Sequence, residues 1–243
     1  MAIPTGRGGG GGHRAAGHAG AVLTGAVLRW LRQRDVAVGY ALVVLALAVA
    51  IGLLPGRLSQ RFVIDSSTNL ANLRSHPPYV LLVSAFVISP LWQVWILVPA
   101  VWAYGEVQRW LGRLSVLLVA LLGHVGATLF VATMISAGIA HGRVSLAEAR
   151  TTDVGVSYGL VTAMGLVAAR LPVERTGGRF GPPTRNVYAL AVTAALLLVL
   201  VVDRSFTDLG HLCAWGIGLS LAWLLVRADA APSTAPPVTA VSG

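Results

Sequence analysis

Long uncharged apolar runs alternate with polar stretches from residue 36 to residue 226. Val36 to Leu54 has no charge over 19 residues, enough to cross a hydrocarbon core of about 30 Å, and Pro55-Gly56 ends it. Residues 57–78 are polar and too long for a tight turn, so they are predicted to have structure of their own at the interface. Residues 79–89 are apolar but short, and Pro90 separates them from Leu91 to Tyr104, the second span, which extends to about residue 110 and is expected to kink at Pro99. Leu114 to Ala137 is the third span, with His124 in its interior, and 138–152 is a polar loop. Val154 to Ala169 is short and rich in small residues. Small residues let helix backbones approach closely, so this fourth span is predicted to sit centrally. An arginine-, glycine- and proline-rich loop (170–186) leads to the fifth span, Val187 to Val202. A tight polar connection, Asp203 to Asp208, leads to the sixth, Leu209 to Val226. The expected fold class is an all-α membrane protein, a bundle of six transmembrane helices with both termini on one side.

The flanks differ from this core. Residues 1–15 include an unbroken run from Gly8 to Gly12, cannot bury a core and are expected to be disordered. Residues 16–35 mix small apolar residues with Arg29, Trp30, Arg32 and Arg34, the pattern of a basic helix lying on a membrane surface. Residues 1–35 thus form an arm, 36–226 the membrane domain and 227–243 a disordered Ala/Pro/Ser/Thr tail. A signal peptide is not expected, because the first strong apolar run starts only near residue 36 and lacks a small-residue cleavage site after it.

Composition sharpens the class. Hydrophobic residues make up 56% and charged residues 11%, against about 25% charged in soluble domains, and the mean hydropathy is +0.75. The net charge of +9 comes from 18 basic residues, all arginine. With the N-terminus inside, the inside segments hold 12 arginines and the outside segments 6, which favours an N-in, C-in orientation in the cell membrane. No nucleic-acid motif accompanies the charge, and a nucleic-acid partner is not expected. The single cysteine, Cys213, allows no intramolecular disulfide. CxxC and HExxH motifs are absent, so neither a metal nor a cofactor is expected.

Two stretches carry chemistry. Asp153-Val154-Gly155-Val156-Ser157-Tyr158-Gly159-Leu160 opens the fourth span, and Asp208-Leu209-Gly210-His211-Leu212 opens the sixth. Both spans enter from the same side, so Ser157 and His211 lie about 7 Å deep at about 1.5 Å per residue and can meet as nucleophile and base. His124 is placed roughly 15 Å from the other side, near the midplane. Each residue also has a plainer reading: Ser157 as a small packing residue, His124 as an interhelical hydrogen-bond partner, and Asp153 and Asp208 as helix caps. Glu106 is expected to pair with Arg109 or Arg113. Gly155 to Gly159 also fits the G-x-S-x-G elbow, but that motif needs a strand before its helix, and no strand pattern precedes it here.

On these residues the chain resembles the rhomboid family of intramembrane serine proteases, over roughly residues 36–226. The resemblance rests on six spans with a long first external loop and on Gly155-Val156-Ser157 opening the fourth. His211, Ala214 and Gly218 in the sixth span and Gly105-Glu106 with Gly112 ending the second complete it. Gly123-His124-Val125-Gly126-Ala127-Thr128-Leu129, with the two stretches above, is similar to a divergent actinobacterial rhomboid-like group. The resemblance implies a rhomboid-like bundle in which Ser157 attacks a scissile carbonyl and His211 moves the proton, as a dyad without a buried aspartate. Rhomboids usually carry a histidine and an asparagine in the second span as oxyanion donors. Residues 91–112 contain neither, which leaves Gln93, His124 and Gly155 as oxyanion or auxiliary candidates, with the depth of His124 counting against it. The implied partners are the bilayer and single-span membrane proteins, as substrates or, for an inactive relative, as bound clients. A six-span transporter ranks last, because apart from the histidines the spans contain no internal charge.

Overall fold

The computed structural model describes residues 24–170 and 182–230, and among these there is helix and no strand. The glycine-rich arm, the start of the expected interfacial helix, most of the 170–186 loop and the tail from residue 231 lie outside the described residues. Helical turns at 24–32 precede α1 (Asp35–Leu53). The polar segment after the first span folds as α2 (Gly56–Ser66) and α3 (Leu70–Ser75), followed by α4 (Pro77–Ser84). Asn69 caps α3 by accepting from the Asn72 N–H. The Asn72 amide in turn donates to the carbonyls of Ile64 and Ser67 at 2.7 and 3.0 Å. The polar residues of this segment therefore fold it, and Ser66 to Asn69 are buried with their hydrogen-bonding groups turned inward.

Residues Leu91–Ile96 form a 3-10 helix that runs directly into α5 (Leu97–Leu111). Pro99, where a kink was expected, is the third residue of α5, just past the change from 3-10 to α-helix, where the backbone hydrogen-bond pattern is already changing. Pro99→Ala is therefore expected to change stability by less than about 1 kcal/mol, as read by thermal unfolding in detergent; a loss of several kcal/mol would give the proline a shaping role. Gly112, at φ +89°, then joins α5 to α6 (Arg113–Ala140) in a conformation that favours glycine. A second 3-10 helix (Leu146–Arg150) follows, then α7 (Val156–Arg170), α8 (Pro182–Asp203) and α9 (Phe206–Ala230).

α7 occupies the centre, as its small residues predict. It packs on α5, α6, α8 and α9, most extensively on α9, and buries Val156, Tyr158, Leu160, Ala163, Leu166, Val167 and Ala168. Thr162 is buried as well; its hydroxyl donates to the Ala214 carbonyl of α9 at 2.9 Å. Among the described residues three helices are long and apolar enough to cross a membrane: α1, α6, and α9 over Phe206–Ala228. Val156–Ala169 and Val187–Asp203 are shorter apolar helices.

At the end where α1 begins, polar groups close the bundle. The Gln108 side-chain Oε1 on α5 accepts from Val36 and Ala37 N–H at 3.2 and 3.3 Å, capping a helix whose N-cap residue makes no side-chain cap of its own. The Gln108 amide and the Arg113 guanidinium both bind Asp35. Glu106 pairs with Arg109, as expected, and also with Arg34 at 2.8 Å. Arg113 takes Asp35 instead of Glu106.

Candidate active site

Ser157 is the second residue of α7, and the approach to it is recessed. Asp153 and Gly155 are buried before the helix starts. The Asp153 carbonyl accepts from the Thr68 N–H at 2.8 Å and the Thr68 hydroxyl at 3.1 Å, and the Asp153 N–H donates to Ser67 Oγ at 2.7 Å. The Gly155 N–H donates to the Ser84 carbonyl at 3.0 Å. The polar turn between α2 and α3 and the end of α4 thus hold the entry to α7 inside the bundle.

His211 comes from the other direction. α9 begins at Phe206, three residues before the predicted start, because Ser205 caps it: Ser205 Oγ accepts from the Asp208 N–H at 3.1 Å. Asp208 therefore does not fill the capping role expected of it, and its own Oδ2 accepts from the Ser205 hydroxyl. His211 lies about one and a half turns into α9, and its Nε2 is 2.9 Å from Ser157 Oγ. Both residues are half-buried, so the pair is enclosed without being sealed. The Tyr158 ring meets the imidazole edge-on, with centroids 5.3 Å apart at 66°.

The other candidates fall in different places. Gly155 sits two residues before the serine, and a Cβ there would overlap the His124 ring. His124 therefore reaches the entry to α7, a contact that counting along its span did not suggest. His124 Nε2 lies 2.9 Å from the Leu81 carbonyl and 3.1 Å from Ser84 Oγ, so this histidine also ties α4 to α6. Gln93 is half-buried in the 3-10 helix before α5, with its N–H on the Pro90 carbonyl. Cys213 is half-buried against Ala127, Tyr158 and Ala214, a packing position.

Tyr158, Thr207 and Ser205 carry roles that were not singled out in the sequence. Tyr158 Oη donates to Asp153 Oδ2 at 2.7 Å and Thr207 Oγ1 to Asp153 Oδ1 at 3.4 Å. The adjacency of Tyr158 to Ser157 was the available signal. Beside them, a cavity of about 270 Å³ is lined by Thr68, Glu148, Asp153, Asp203, Ser205 and Thr207, among others. Burial pushes the Asp153 carboxyl up to about 6, and the bonds from Tyr158 and Thr207 hold it from rising further. A carboxyl whose folded value is raised favours folding below its unfolded value, near 3.8, and loses that contribution as pH climbs through about 6. The wild type should lose up to roughly 3 kcal/mol of stability between about pH 4 and pH 6. Asp153→Asn should flatten that slope in thermal melts across the same window, and an unchanged slope would assign it to other groups.

Fold and site together define a helical membrane protein with a serine–histidine pair between two of its helices. The chain belongs to the rhomboid-like protein family, whose model matches residues 29–231. Neither a curated protein nor a solved structure matches it.

Proposed function

We propose that the protein is a six-span, N-in/C-in intramembrane serine protease of the plasma membrane that cleaves single-span membrane proteins. The observation that carries this is the 2.9 Å approach of His211 Nε2 to Ser157 Oγ from two different helices. For the second span, helix length supports the six-span count. The 3-10 segment adds about 12 Å to the roughly 22 Å of α5, which brings the second span to the thickness of a hydrocarbon core.

In this reading Ser157 Oγ attacks the scissile carbonyl carbon as its proton passes to His211 Nε2, and the carbonyl π electrons move to oxygen. Collapse of the tetrahedral adduct breaks the C–N bond, and the proton on Nε2 goes to the leaving amine. Water then repeats the attack on the acyl-enzyme. The Ser157 N–H lies in the first turn of α7, where N–H groups have no intrahelical acceptor and the helix dipole is positive, and it serves as one oxyanion donor. His124 is the better placed of the side-chain candidates, since it packs on Gly155.

A second reading is favoured by one observation. The second span has neither histidine nor asparagine, and each missing oxyanion donor costs about 10²–10³ in rate. A catalytically inactive relative that binds transmembrane clients would keep the fold without those donors.

The test is a fluorophosphonate probe on the purified, detergent-solubilised protein, followed by mapping of the adduct by peptide mass. An adduct on Ser157 is the expected result. No adduct on a protein that melts cooperatively would move the assignment to the client-binding reading.

A further inference from the structure

We infer that Asp208 is a positioning residue for His211, making the site a carboxylate–histidine–serine line in which both outer members reach the imidazole from the ends of different helices. The inference rests on the dyad reading above and adds a third group to it. Asp208 and His211 are three residues apart on α9 and so share a helix face. Asp208 Oδ1 is 3.9 Å from His211 Nδ1, while Nε2, at the opposite edge of the ring, faces Ser157 Oγ. Asp208 is buried, and its other oxygen is fixed by the Ser205 hydroxyl, so Oδ1 is the oxygen left toward the ring.

The chemistry needs this arrangement. To take the serine proton, Nε2 must carry its lone pair, and the ring proton must then sit on Nδ1. A carboxylate beside Nδ1 favours that tautomer and stabilises the imidazolium formed during attack. At 3.9 Å the contact is longer than a hydrogen bond, so in this resting geometry Asp208 acts through its charge, and the contact shortens as the ring becomes cationic. Of the other carboxylates at this end, Glu148, Asp153 and Asp203, Asp153 has its oxygens on Tyr158 and Thr207. Tyr158, through its edge contact with the imidazole, confines the ring from the side.

Asp208→Asn removes the charge and keeps the contact with Ser205, because the amide oxygen still accepts from the Ser205 hydroxyl. With the full-length protein in detergent, this variant is expected to melt like wild type and to label with the fluorophosphonate about 10- to 100-fold more slowly. Asp208→Glu, which keeps the charge, is expected to recover much of the rate. The deciding readout is the ¹⁵N signal of the His211 ring, assigned by difference from His211→Gln. Wild type should be in the Nδ1–H form, and Asp208→Asn should shift toward Nε2–H. Wild type that labels on Ser157 but has the Nε2–H form, or an Asp208→Asn that labels and titrates its tautomer as wild type does, would overturn the Asp208 role and leave the dyad standing. Wild type that never labels would overturn the dyad, and with it the positioning role. Should Asp208→Asn fail to fold, the wild-type tautomer alone decides.

Discussion

Ser157→Ala is expected to remove fluorophosphonate labelling completely, and His211→Ala to slow it by at least about 10³-fold, with both variants melting within about 1 kcal/mol of wild type. In the proposed mechanism the two residues act as one unit, because a serine hydroxyl is a poor nucleophile until its proton has an acceptor. Their Nε2–Oγ distance of 2.9 Å is within hydrogen-bond reach, so the proposed attack needs no prior rearrangement of the pair. The folding cost is small because both side chains are only half-buried. Labelling rate is the measurement, with melting temperature as the control. A His211→Ala that labels as fast as wild type would mean that another group activates the serine. His124 is then the next candidate, since its ring lies against Gly155.

Gly218→Ala should be the most damaging single methyl in the bundle. A Cβ at Gly218 would overlap the Thr162 carbonyl oxygen and come within 2.9 Å of the Leu166 N and 3.0 Å of the Gly165 Cα. These are backbone atoms of α7, which cannot rotate away, so the two helices must separate. Overpacking of this kind costs about 1–3 kcal/mol where side chains can yield, and a backbone contact belongs at or above the top of that range. Separation of α7 from α9 also pulls Ser157 from His211, so labelling should fall with stability. Gly216→Ala, two residues earlier on the same helix, is the control: a Cβ there meets nothing within 4 Å, and the change should be neutral or stabilising by about 0.5–1 kcal/mol. Thermal unfolding of the two variants side by side checks both expectations. Equal melting temperatures would mean that α7 and α9 are looser than the structure shows.

Much of the helix plan was legible because apolar runs and their interruptions follow from what a bilayer excludes. The first, third and fifth apolar runs correspond to α1, α6 and α8, and the small residues of the fourth correctly placed α7 at the centre. The less legible points were local. A proline inside an apolar run looks like a kink, and only the structure shows that Pro99 directly follows a change from 3-10 to α-helix. Likewise Asp208, at the polar edge of an apolar run, looks like a cap, but Ser205 three residues earlier takes that place. For the site, the serine and histidine were legible as chemistry-bearing residues at matched depth. The contact of His124 with Gly155 was not, because it depends on packing between distant segments, which counting along a span does not suggest.

The sequence by itself determined that this chain is a bundle of apolar helices of the rhomboid-like type, and which serine and histidine to examine. Those properties depend on hydropathy and on residues close together in the chain. Only the tertiary structure decided what surrounds the pair. The loop at Ser67 and Thr68 holds the entry to α7 from 85 or more positions away, and Tyr158 closes on Asp153 while its ring edge meets His211. Asp208 turns toward the same imidazole across one turn of α9. Such contacts are set by where helices end and how closely their backbones approach, which depends on packing between distant segments and leaves no periodic trace along the chain.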